Sequence, residues 1–345
     1  MQRLRITLCL LLITGVCLAQ DIQFTQFYAA PLYLNPAFAG ANVCSRLCTS
    51  YRNQWPGINK TFVSYAASYD HSIPSLSSGI GFLFTNDKAG SGNLKTTSFS
   101  ALYSYEALLS RTWSARVGVQ AGGVLRDVDF YKLVFGDQIA RGNSASSVEI
   151  APSSRIFYFD VSTGILLYSY KYWFGFSAHH LTQPNQSLIG GESILPVDYS
   201  VHSGINLPVG SDSESSGKKI KKMRSSKNLV SPAINYRHQG KFDQVDLGVY
   251  YTHSPMVLGL WYRGIPIMRS YSTNNINHDA FAITAGFEIE SFKFGYSYDM
   301  TLSRLASATG GAHEITMAYQ FCDYAAMKRQ TKKKKWPLII PCAKF

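Results

Sequence analysis

Charge is scarce in this chain. Only 16% of its 345 residues are Asp, Glu, Lys or Arg, against roughly 25% in ordinary soluble domains, which points to surfaces that meet lipid or bury broad sheets. Cysteine is scarce as well: of six in all, Cys9 and Cys17 fall in the first twenty residues. The remaining Cys44, Cys48, Cys322 and Cys342 do not make a disulfide-built scaffold. Cys44 and Cys48 would share a strand face roughly 13 Å apart, too far to bond to each other. Past the N-terminus no run approaches the roughly 18 apolar residues of a membrane-spanning helix, so no helical anchor is expected. A catalytic constellation is also missing. The one close histidine pair, His179 and His180, would point to opposite faces of a strand, which disfavours a metal site. The stretch "DKAGSG" (87–92) has neither a following helix nor the Lys-Ser/Thr ending of a phosphate cradle, and reads as a hairpin loop. The chain is expected to be no enzyme and to carry no metal or cofactor.

What is present begins with a leader. Arg3 and Arg5, an apolar run from Ile6 to about Val16 and small residues at the end form the three-part pattern of a secretory signal, with cleavage expected after Ala19 (residues 1–19). A lipoprotein reading at Cys17 needs a small residue just before it, and Val16 stands there. The protein is expected to be exported.

Aromatics are plentiful, with 22 Tyr and 20 Phe, and they fall in period-two patterns. Val63, Tyr65, Ala67 and Tyr69 alternate with Ser64, Ala66, Ser68 and Asp70; Phe99, Ala101, Tyr103 and Tyr105 alternate with Ser98, Ser100, Leu102 and Ser104. Phe281 to Ile289 and Phe292 to Tyr298 repeat the pattern. One face of each strand is greasy and the other small, polar or charged. About fourteen such strands are expected, near 44–53, 62–70, 78–86, 96–107, 112–123, 157–169, 171–179, 199–208, 229–238, 242–252, 256–263, 280–289, 291–300 and 313–322. Many reach the length that crosses a bilayer at a tilt, with aromatics toward their ends. The fold class is therefore all-β: a transmembrane antiparallel outer-membrane β-barrel occupying 44–323. If the chain enters from the periplasm, the tight turns "LLSRTW", "SYKY", "HSPM" and "ESFK" are periplasmic, and 87–95, 124–156, 180–198, 264–279 and 301–312 are outer loops. The long basic connection after the eighth strand is an exception to that rule.

Several blocks are more specific than composition. "QFTQFYAAPLYLNPAFAG", "YRNQWPGI", "TFVSYAASYDHSIP", "GIGFLFTNDKAGSG", "VDFYKLVFGDQI" and the lysine-rich tail ending "IIPCAKF" resemble the PorP/SprF family of outer-membrane proteins of the type IX secretion and gliding machinery. Ala343 departs from the commoner Cys-Pro-x-Phe ending. The resemblance implies a barrel in the bacterial outer membrane that partners secreted proteins carrying a type B C-terminal domain, supporting their secretion or surface attachment, and that contacts periplasmic type IX components. An outer-membrane porin for small solutes is the alternative.

Three sets of residues are candidates for function. Lumen-facing Arg116, Asp246, Glu288, Glu290, Lys293 and Asp299 could line a pore, or pair with one another and close it. The uncharged segment within 20–43 precedes the first strand and is expected to start in the periplasm and fold back into the barrel mouth. There it would bury Phe24, Phe27, Tyr28, Tyr33 and Phe38, with "NPAFAG" turning and Pro31 and Pro36 preventing a regular helix. The third set is basic, nine of the 33 Lys and Arg in a chain of net charge +12. Lys218, Lys219, Lys221, Lys222 and Arg224 in one connection, and Lys332, Lys333, Lys334 and Lys335 in the tail 324–345, are expected on the periplasmic side as partner-binding residues for acidic proteins or lipid phosphates. Nucleic acid is a poor partner for an exported chain.

Overall fold

In the computed structural model the described residues are 21–42, 44–58, 62–90, 92–110, 112–142, 154–209, 228–269, 276–302 and 309–321. The expected leader, Lys218, Lys219, Lys221, Lys222 and Arg224, and the tail with Lys332, Lys333, Lys334 and Lys335 lie outside them.

The strands follow in order as β1 (Ser45–Gln54), β2 (Phe62–Ile73), β3 (Ser78–Ala89), β4 (Leu94–Leu108), β5 (Trp113–Asp127), β6 (Arg155–Ser169), β7 (Tyr172–His179), β8 (Asp198–Ile205), β9 (Leu207–Pro208), β10 (Asn228–Gln239), β11 (Phe242–His253), β12 (Met256–Arg269), β13 (Ile276–Ile289), β14 (Phe292–Thr301) and β15 (Ala312–Phe321). They form one antiparallel sheet in which neighbours in sequence are neighbours in space. β8 and the two-residue β9 flank Asn206 and both pair with β10, so they are one interrupted strand and the barrel has fourteen. β15 pairs with β1, from Ser45↔Phe321 to Gln54↔Ala312, and that seam closes the barrel. No helix among the described residues is long and apolar enough to cross a membrane.

The alternation in the sequence becomes inside and outside. Along β4, Phe99 is 59% exposed while Ser100 is 5% and Ser104 0%. Along β6, Phe157 is 69% exposed and Ser162 1%. Such a wall is stable only with hydrocarbon outside. At the rim holding the β1 start and the β15 end, Trp113 stacks on Tyr172 (6.5 Å, 6°) and Phe292 packs on Tyr319 (4.5 Å). These rings form an interfacial girdle. The same rim carries the tight turns at 74–77, 109–112, 170–171, 254–255 and 290–291.

The opposite rim differs from expectation. β4, β5 and β6 are 15 residues each, beyond the roughly 9–11 needed to cross, and project past the bilayer. The expected loop 87–95 is therefore a tight turn, with Gly90 (φ 67) and Asn93 (φ 46) in the left-handed region. The connection expected over 264–279 shrinks to 270–275 because β12 and β13 both run on. The long connections 128–154 and 180–197 remain.

Cys48 is a free, buried thiol, whereas Cys44 is disulfide-bonded. The two are therefore not joined to each other. The hydrophobic core lies inside the barrel, where Phe27, Tyr28, Leu32, Leu34, Ala37 and Phe38 meet Leu166, Tyr168, Trp173, Tyr250 and Trp261.

Candidate functional site

The lumen is filled by residues 21–42, which run through it from mouth to mouth. Asp21 lies at the rim of the long connections, beside His180 and Gln239. Gly40 lies at the other rim, against His71 and Gly79. This corrects the expected periplasmic start: the segment begins at the far mouth and reaches the tight-turn rim only where β1 starts.

The prolines each open a short turn, and no regular helix forms among residues 21–42. Pro31 opens a single helical turn, Pro31–Leu34, and Pro36 a 3-10 turn, Pro36–Phe38. The first turn of a helix has no use for the missing N–H and suits the fixed φ of proline. Asn35 organises both. Its Oδ1 accepts from Ala37 N (2.8 Å), and its Nδ2 donates to Ile165 O and Phe176 O on β6 and β7 (3.2 and 3.0 Å). The 3-10 turn needs bare wall beneath it. A Cβ on Gly118 would collide with the Pro36–Ala37 backbone, and one on Gly164 with the Asn35 side chain.

Three tiers hold the segment. At the tight-turn end, Ala39 O accepts from Ser104 Oγ (2.6 Å) and Arg116 Nη2 (2.8 Å), and Gly40 N donates to Asp70, itself paired with Arg46 at 3.0 Å. In the middle, Trp173 Nε1 donates to Tyr28 OH (3.0 Å), Phe27 meets Trp261 edge-on (4.8 Å), and Phe38 stacks on His202 (5.8 Å). Toward the far mouth Thr25 and Gln26 enter an ionic cluster. Arg52 pairs with Asp299 (2.8 Å) and Glu314 (3.1 Å), and Arg263 with Asp246 (3.0 Å) and Asp299 (3.4 Å). Thr25 Oγ1 donates to Asp299 and accepts from Arg52, while the Thr25 and Gln26 amides donate to Glu314 (2.7 and 2.9 Å). Buried charges of this kind are tolerable only when all are paired and hydrogen-bonded.

Asp21 forms the last anchor. His180 Nε2 stands 2.9 Å from Asp21 Oδ2, and its Nδ1 2.9 Å from Asp160 Oδ2. Burial alone would lower the His180 pKa, but Asp21 and Asp160 outweigh it and push it up to about 10. Burial alone would likewise raise Asp21, yet His180 and Arg237 hold it well below the usual carboxylate range. His180 also departs from expectation. Its φ of 60° just past β7 turns its ring inward beside His179, so the two no longer face opposite ways. No metal cluster is found among the described residues.

Phe24, Phe27, Tyr28 and Phe38 are buried and Tyr33 half-buried, all in the lumen. Arg116, Asp246 and Asp299 face inward in the pairs above. Lys293 pairs with Glu288 (3.3 Å), and Glu290 is exposed in the turn after β13. The sequence reading did not single out Asp21, Thr25, Gln26 and Asn35. The signal for them was present: polar side chains inside an otherwise apolar run, each in need of a partner.

Among solved structures, a monoaromatic hydrocarbon channel (a TodX deltaS2S3 mutant) is 11% identical over 85% of this chain and 94% of its own, with a TM-score of 0.45. A Pseudomonas aeruginosa FadL homologue is 10% identical over 85% and 94%, also at 0.45. A Rhodopseudomonas blastica porin mutant is 9% identical over 80% and 99%, at 0.33. Among curated proteins none matches. The family described as type IX secretion system membrane protein PorP/SprF matches residues 16–319. That span holds the lumen segment and nearly all of the barrel wall around it, and the chain belongs to this family of outer-membrane proteins.

Proposed function

We propose that this barrel serves secreted proteins carrying a type B C-terminal domain, helping to export them or to hold them at the cell surface, and that it works through protein contacts rather than catalysis or solute passage. Family membership supports the first part. The observation that carries the second is the filled lumen, in which every tier of residues 21–42 is hydrogen-bonded or ion-paired to the wall. A porin needs a continuous wet path, and the Arg52, Asp299 and Glu314 cluster that could have lined one is used to bind Thr25 and Gln26.

On the periplasmic side, the basic connection and the tail would supply a screened, additive attraction for acidic components of the machinery. Deleting the gene should remove a type B cargo from the cell surface, and the purified barrel should not conduct in liposomes. Steady conductance together with normal cargo display would replace this reading with the porin. Converting Lys332, Lys333, Lys334 and Lys335 to Gln should leave the barrel folded and weaken co-purification with periplasmic components in a salt-dependent way.

A further inference from the structure

Beyond that role, we propose that the outer half of the lumen binds a small zwitterion of the α-amino acid type, in the cavity left between the N-terminal segment and the wall from β3 round to β11. The cavity measures about 170 Å³. At the roughly 30 Å³ that each water claims in the liquid this is space for several waters, and it lies below the ~300 Å³ at which drug-sized sites begin. Its occupant is therefore small. The lining contains polar atoms with no hydrogen-bond partner on side chains that are almost wholly buried: Ser162 Oγ (1% exposed), Asn235 Oδ1 (2%) and Asp198 Oδ1 (3%). Buried polar atoms are normally satisfied by protein, water or ligand.

The charges on the lining define the ligand. Asp21 and Asp160 share His180, Asp198 holds Arg237, and Asp246 holds Arg263. Asp87 and Arg126 remain. Asp87 accepts a hydrogen bond from Ser64 Oγ, Arg126 bonds to Gln186 and Tyr158 and leaves its Nε unpartnered, and neither has an opposite charge within ion-pair distance among the described residues. The register places them in one row of the sheet, Asp87↔Thr96 and Thr96↔Arg126. Their backbones are thus two strand spacings apart, roughly 10 Å. A molecule that carries both charges fits between them. Its carboxylate takes the planar guanidinium of Arg126, its ammonium meets Asp87, and its carbon body lies against Phe24, whose ring stands edge-on to Tyr33 at 5.3 Å. A simple anion would be repelled by Asp87 and a simple cation by Arg126. A neutral polyol would leave both charges unanswered.

Titration calorimetry on the full-length, detergent-purified barrel tests this, with glycine and leucine as probes beside leucine methyl ester, N-acetyl-leucine and glycerol. Saturable binding of at least one free amino acid is expected, with the ester and the acetylated form weaker by roughly tenfold or more, since each loses one charge-assisted contact. Arg126→Gln and Asp87→Asn should each weaken binding to a similar degree, and Asp87→Asn should no longer discriminate against N-acetyl-leucine. Heat-modifiable gel migration reports that the variants are folded, and the ligand series on the unaltered protein stands without them. No saturable heat from either amino acid, or binding that ignores both caps, would overturn the proposal and leave a water-filled cavity. Neither result depends on which cargo the barrel serves.

Discussion

The two sides of the lumen solve the same problem in opposite ways. On the side of β12, β14, β15 and β1 the wall sends in large charged groups, and the N-terminal segment bonds to them directly through Thr25 and Gln26. On the side of β3 to β6 many inward positions are Ser, Thr or Gly, such as Ser98, Ser100 and Gly122, and a cavity remains beside Asp87 and Arg126. The difference shows that burial in a barrel lumen is not one kind of energy. Where charges meet, stability depends on keeping every partner; where small hydroxyls meet, it depends little on any one.

Arg52→Ala should therefore have the largest effect. It strands Glu314 and leaves Asp299 only its longer pairing with Arg263 (3.4 Å), and removing one member of a buried ionic group costs about 3–5 kcal/mol; urea unfolding in detergent, followed by loss of heat-modifiable migration, measures it. Gly164→Val comes next, because its side chain takes the place of Asn35. Overpacking of this kind costs about 1–3 kcal/mol, and limited proteolysis should cut within residues 21–42 while the barrel stays folded. The Asp21 anchor follows, with a definite pH sign. His180 is raised from 6.5 to about 10, so its contribution is complete below 6.5 and falls away as pH rises toward 10. Asp21 is lowered, so its contribution is complete above 3.8 and lost in acid. A fluorophore on Gln23→Cys should be least accessible to iodide between those limits, and His180→Gln should flatten the alkaline limb. The smallest effect belongs to the hydroxyl side. Ser98→Ala removes one bond to Thr85 (2.6 Å) and should cost about 0.5–1.5 kcal/mol by the same unfolding measurement.

Much of the wall was legible in the sequence because lipid forces every second residue to be apolar over a whole strand, as in Phe99 to Tyr105. The buried aromatics of the lumen segment were legible from their need for cover. Its polar anchors were not, since the partners of Thr25 and Gln26, Asp299 and Glu314, lie more than 270 residues away, and no local pattern carries that information. The loop lengths failed for a related reason: alternation weakens where a strand leaves the bilayer, so β4 to β6 and β12 to β13 looked shorter than they are. His180 was misjudged because one left-handed residue reverses the parity on which the inside and outside assignment rests.

The path of the N-terminal segment has a consequence for how the protein is made. Its partners at Asp299, Glu314 and Thr316 belong to the last two strands, and the final strand is also the one that zips against the first. Thr25 and Gln26, near the start of the chain, must therefore wait for its last strands before most of their partners exist. A chain truncated before β14 would leave Thr25 and Gln26 without Asp299, Glu314 and Thr316. Full seating of the N-terminus thus reports that the C-terminal strands are in place.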